Sequence, residues 1–316
     1  MWARRWLSQE AGLVMATTGT QDPIAGIKML ARDLVDEAGL DEPPFSPALL
    51  ASFQNVSEIR VTQMVSAARL IPNKTTGTLV IEVNADHSQG KRNFSANHET
   101  AHTLLPTYSG EQIEDGETGR FSTNLEEEYL CDIGASELLL GDRWLRPLAL
   151  ESGPSLATLL YLAELFDASL EATAYKLAEL DIWSCAFVFW EEGLRKNERV
   201  GEGQMMLPLL APYGVAKPKV RIKRPYATRS FGMYIAVNKS VDSASLVTTS
   251  YKEGCSTNGV EDFDLGGGKE KLYCENILVP YRSQGTTRRR VLSLLIREQV
   301  QSNSIIVPEL FKLESQ

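Results

Sequence analysis

The stretch Asn93-Phe-Ser-Ala-Asn-His-Glu-Thr-Ala-His102 constrains this chain more than any other, because His98 and His102 stand four residues apart with Glu99 beside the first. On a helix, positions i and i+4 share one face about one turn apart, so both imidazoles can reach a single ion. Glu99 then projects beside that ion, where a carboxylate takes the proton of a water whose pKa zinc lowers to about 7. The pattern points to a hydrolase, and first of all to a peptidase. Two of the chain's 3 histidines fall within it, which argues against a chance match. The third, His87, lies in a polar connection and reads as solvated.

A length of 316 residues leaves room for a second module beside a metal domain of ordinary size. The net charge of -9 excludes a protein that coats nucleic acid with its whole surface, while leaving local basic patches open. The arginines at the N-terminus are followed by Ser8, Gln9 and Glu10, which interrupt any signal-peptide core. No run of about 18 apolar residues occurs, so no membrane span is expected. The cysteines at 131, 185, 255 and 274 lack disulfide-scaffold spacing, and a reducing cytoplasm is the predicted location.

Apolar positions 24, 27, 30, 34 and 35 predict an amphipathic helix over 23–39 with Asp22 as N-cap. Ser46 and Pro47 open a short second helix. From Ser57 to Ala85 the period moves toward two, predicting a small antiparallel sheet of about three strands that ends on Thr78–Asn84. The motif helix is expected from Asn93 or Ser95 to Leu105. A polar, Gly-rich segment over 106–121 follows as a candidate rim of the cleft, with Tyr108 the candidate to stabilise an oxyanion.

A site with two histidines needs a third protein ligand and an open position for water. Glu126, Glu127 and Glu128 begin the helix predicted over 125–140. Glu128 is favoured, because Asp132 lies four residues on along the same face and can accept a hydrogen bond from a liganding histidine's other nitrogen. Glu126 and Glu127 read as a solvated, dipole-favourable helix start.

In these parts the chain resembles the ImmA/IrrE family of bacterial and phage regulatory metallopeptidases. The matching segments are Leu79-Val-Ile-Glu-Val-Asn84, the stretch from Asn93 to Leu105, and Glu128-x-x-Cys-Asp-x-Gly-Ala-Ser-Glu-Leu-Leu-Leu140. Order and spacing agree across all three, over residues 23 to 182. The last is similar to the family's Glu-x-x-Ala-Asn-x-Phe-Ala-Ala-Glu-Leu-Leu-Met-Pro helix, departing from it at Gly134 and Gly141. The resemblance implies zinc held by His98, His102 and Glu128, with Glu99 as general base. It also implies a helix-turn-helix transcriptional repressor as substrate, whose cleavage switches on a stress, DNA-damage or phage-defence response. The alternative is a zinc-stabilised sensor that binds the repressor without cutting it.

Residues 155–181 predict two helices around a turn at 167–169. With Glu171 and Glu179 against a single base, Lys176, the pair reads as structural rather than DNA-binding. Beyond residue 182 the pattern turns β-rich, with strands expected at 185–190, 232–237, 245–251 and 271–279 and a strand or short helix at 289–299. This half is weakly similar to a GAF-type sensor domain. Lys219, Arg221, Lys223 and Arg224 near Tyr226, with Arg288, Arg289 and Arg290, form a candidate contact for single-stranded DNA, against a solvated loop as the plainer reading. Cys255, in a turn-rich loop, is a candidate inhibitory zinc ligand. The expected class is α+β. A zincin-like metallopeptidase domain (1–150) and a helical pair (151–182) precede a β-rich, GAF-like regulatory domain (183–316).

Overall fold

The computed structural model describes residues 6–106, 108, 125–195, 217–283 and 286–297. The predicted rim segment falls outside them except for Pro106 and Tyr108. Three helices come first, α1 (Gln9–Thr18), α2 (Pro23–Glu37) and α3 (Pro47–Ser52). Asp22 caps α2 by accepting from the Ile24 N–H, and Ser46 caps α3 by accepting from Leu49, as their sequences predict. The stripe Ile27, Ala31, Leu34 and Val35 is buried.

Strands β1 (Val56–Thr62), β2 (Ala68–Asn73) and β3 (Thr78–Asn84) form a sheet in the order β1-β3-β2. The sheet is mixed rather than antiparallel. The Asn73–Gly77 turn folds β2 back on β3, and β1 then pairs parallel on the other side of β3. A side-chain period of two cannot report strand direction, because it is the same in both arrangements.

Helix α4 (Gln89–Thr103) carries the motif and begins earlier than expected, from Ser88. Gly90 is no break in it, being placed where the helix meets the backbone at Ala168 and Ser169. Then come α5 (Leu125–Leu139), α6 (Asp142–Ser152), α7 (Leu156–Leu165) and α8 (Leu170–Leu180). Ser169 caps α8 by accepting from Ala172. Gly134 stands where α5 crosses its neighbours, since a β-carbon there would lie 3.1 Å from Ala101 and 3.2 Å from Ile27.

The β-rich half is an antiparallel five-stranded sheet in the order β5-β4-β8-β7-β6. Its strands are β4 (Cys185–Gly193), β5 (Lys219–Ala227), β6 (Thr257–Asp264), β7 (Lys269–Ser283) and β8 (Thr286–Arg297). The strand expected at 245–251 is instead helix α9 (Leu246–Glu253), capped by Ser245 and closed by left-handed Gly254. The caps outweigh the β-branched run Val247-Thr248-Thr249. No strand forms over 232–237 either, because left-handed Gly232 and Asn238 bracket it.

One hydrophobic cluster joins the two halves. Leu159, Leu162 and Phe166 of the α7 region and Leu177 of α8 pack in one core with Phe187, Phe189, Leu292 and Leu294 of the second sheet. A separate cluster on that sheet's other face includes Trp190, Val247 and Leu295.

Candidate metal centre

His98 and His102 project from one face of α4, their ring centroids 5.0 Å apart. Glu128, in the first turn of α5, faces both. Its Oε2 lies 3.2 Å from His98 Nε2 and its Oε1 3.7 Å from His102 Nε2. One donor atom from each of the three residues lies within 4.8 Å of the others. The two Nδ1 atoms are turned away from that point onto further carboxylates, His98 to Asp132 at 2.9 Å and His102 to Glu127 at 3.4 Å. Each ring is thereby oriented with Nε2 toward the common centre.

Glu99 lies alongside, and β2 holds it there. The Asn84 N–H donates to the Ala67 carbonyl, so directly paired residues alternate along β2 and β3. The intervening residues Ala68, Leu70 and Pro72 turn their backbone groups to the sheet edge that no strand covers among the described residues. The Leu70 N–H there donates to Glu99. Burial pushes the Glu99 carboxyl above its ordinary range, against the opposing pull of His102 and His98. Burial disfavours charge on His98 as well, but hydrogen bonds to Asp132 and Glu128 outweigh it and raise the imidazole to about 10. The cleft, about 320 Å³, is lined by Ser66 to Arg69, Lys91 and Phe94 around these side chains. Two imidazole nitrogens, one carboxylate and an adjacent buried acid fit a catalytic zinc site with a position left for water.

The remaining predicted residues distribute differently. Tyr108 lines a separate cavity of about 540 Å³ with Phe53, Pro72 and Thr103, and packs against the core beneath the first sheet. Cys255 is exposed between α9 and β6, its Sγ 3.8 Å from Glu253, and no cysteine lines the metal cleft among the described residues.

Two of the basic residues, Arg221 and Arg290, are buried. They lie on strands, where neighbours face opposite ways. Arg289 reaches toward Gly254 at the end of α9, whereas Arg290 is buried and paired with Glu171 and Glu191. Arg221 is buried and donates to the Gly193 and Asn238 carbonyls. Arg224 pairs with Glu171 at 2.8 Å, while Lys219, Lys223 and Arg288 are exposed.

Sequence reasoning missed Glu127, which is buried rather than solvated. The missed signal was available in its spacing, since positions 127, 128 and 132 of one helix cover an arc wide enough to face two rings.

Residues 55–178 match the peptidase family whose description is the IrrE N-terminal-like domain. This segment is an IrrE N-terminal-like domain. Its span runs from β1 into α8 and contains every residue that lines the cleft. No curated protein matches the chain. Among solved structures, a Mycobacterium tuberculosis transcriptional regulator is similar over 92% of this chain and 80% of its own, with 12% identity and a TM-score of 0.51. At that identity the likeness is one of fold, and it extends past the IrrE-like domain into the second sheet.

Proposed function

We propose that the chain is a zinc-dependent, site-specific endopeptidase whose IrrE-like domain cleaves a helix-turn-helix transcriptional repressor. The observation that carries this is the convergence of His98 Nε2, His102 Nε2 and Glu128 on one point, each histidine backed by its own carboxylate and Glu99 beside them. His98, His102 and Glu128 would hold the metal. Zinc, when bound, lowers the pKa of a water and polarises a carbonyl.

The chain's own groups supply the rest. Glu99 accepts the proton of the attacking water and hands it to the leaving amine, and burial keeps its carboxyl basic enough for both transfers. Asp132 and Glu127 hold the imidazoles in the tautomer that turns Nε2 to the centre. The outer edge of β2, uncovered by any strand among the described residues and with the Ala68 N–H and the Ala68, Leu70 and Pro72 carbonyls directed outward, offers an extended peptide a strand to pair with.

The resemblance to repressor-cleaving relatives supports the choice of substrate and the link to a stress, DNA-damage or phage-defence response in the cytoplasm. Residues 183–316 are proposed as a GAF-like regulatory domain, a reading supported by an open antiparallel sheet with α9 on one face and the helices of the IrrE-like half on the other. Incubation of the zinc-loaded protein with candidate helix-turn-helix repressors from the same genome, followed by mass spectrometry, tests the proposal. Fragments from wild type and none from Glu99→Gln are expected. Release of the repressor's operator with the repressor intact would favour a sensor that binds without cutting.

A further inference from the structure

The first turn of α4 rests on the turn between α7 and α8. A β-carbon on Gly90 would fall 2.5 Å from the backbone of Ala168 and Ser169, so only glycine allows this approach. Nearly one turn on, Asn93 Nδ2 donates to the Asp167 carbonyl at 2.9 Å and to its carboxylate at 2.8 Å. Gln89 Nε2 donates to Asn93 Oδ1 and fixes which way that amide faces. Asp167 is itself held in a left-handed conformation at φ 47.

The C-terminal sheet grips the same helix pair from the other side. Glu171, in the first turn of α8, accepts from Tyr226 at 2.8 Å, Arg224 at 2.8 Å and Arg290 at 3.1 Å. Arg290 is 4% exposed, donates twice to Glu191, and lies 5.1 Å from the Phe189 ring centroid. Glu275 of β7 accepts from the Leu156 N–H and so holds the start of α7.

We infer that the α7–α8 turn is a positioning element through which the C-terminal sheet sets the seat of α4, and with it His98 and His102. This rests on the metal-centre reading above and names where regulation enters it. The pairing of Arg290 with Glu171 biases the turn, the turn holds Gly90 and Asn93, and the helix carries both ligands as a rigid rod. An effector that changes the sheet around Arg290 changes metal affinity without touching the cleft.

Zinc affinity of the full chain, measured by competition with a chromophoric chelator, tests this in wild type, Arg290→Met, Gly90→Ala, the double variant and Val247→Ala. Val247 lies in the core on the sheet's far face and serves as a control for general destabilisation. Each of the first two substitutions should weaken zinc binding by about five- to tenfold, in the range of coupled sites, and the double variant no more than the stronger single one. Val247→Ala should lower Tm and leave zinc affinity unchanged. Multiplicative effects in the double variant, or a weakening by Val247→Ala equal to that of Arg290→Met, would overturn the link. If wild type takes up no zinc, the metal reading fails separately, and amide hydrogen exchange over residues 94–102 decides the link. Faster exchange in Arg290→Met and Gly90→Ala, but not in Val247→Ala, supports it; unchanged exchange refutes it.

Discussion

Three successive glutamates open α5, and each meets a different partner. Glu126 accepts the backbone N–H groups of Leu7 and Ser8 and ties down the N-terminal segment. Glu127 lies buried against His102, and Glu128 faces both Nε2 atoms. Glu127→Gln and Asp132→Ala should therefore lower zinc affinity by about 10- to 100-fold, the usual cost of losing a carboxylate behind a liganding histidine. Glu126→Gln should leave affinity unchanged, and chelator competition compares all three. At Glu99 the expected separation is sharper. Glu99→Gln keeps its metal content by elemental analysis while the rate of peptide hydrolysis falls by about 10²- to 10⁴-fold, the share of a general base.

Helix α8 is anchored in the IrrE-like half by Lys176, whose side chain is 0% exposed. It meets Glu137 at 3.0 Å, Asp142 at 2.6 Å and Glu179 at 3.6 Å, while Lys28 and Arg32 of α2 bind the same carboxylates from outside. The one base of the helix pair thus points into the protein, away from any phosphate. Lys176→Met leaves buried Glu137 with Arg32 and the Asp142 N–H but without its buried cation, and should cost about 3–5 kcal/mol in urea unfolding, as expected for breaking a buried pair. Burial alone would raise the Asp142 carboxyl, but Lys176 and Lys28 hold it at about 2. Its folded pKa lies below the unfolded value, so its stabilisation is present above about pH 4 and is lost as pH falls toward 2. Acid unfolding followed by circular dichroism should show that loss in wild type and less of it in Lys176→Met. Close helix packing matters at Gly134 too. Gly134→Leu would force α5 away from Ala101 and Ile27, and zinc affinity should fall with stability.

For the whole molecule, the shared core means that the two halves cover each other. A chain ended after Ile182 would leave Leu159, Leu162, Phe166 and Leu177 without Phe187, Phe189, Leu292 and Leu294. Such a fragment should bind a dye specific for exposed apolar surface and melt below the full chain. An equal Tm would show that the helices close their own core. Among the described residues no helix is long and apolar enough to cross a membrane.

What the sequence determined by itself was local. Two imidazoles one helical turn apart, Glu99 beside them, and N-caps at Asp22 and Ser46 depend on neighbours within a few residues, and each is found where its spacing puts it. Ser245 is the instructive miss, because a cap of the same kind heads a stretch whose β-branched residues point to a strand. Tertiary structure decided the rest. The direction of β1, the burial of Glu127, the opposite faces taken by Arg289 and Arg290, and the close approaches at Gly90 and Gly134 each depend on a partner distant along the chain. Helix geometry alone keeps His98 and His102 one turn apart, while a packed core settles which carboxylates face them and what holds their helix.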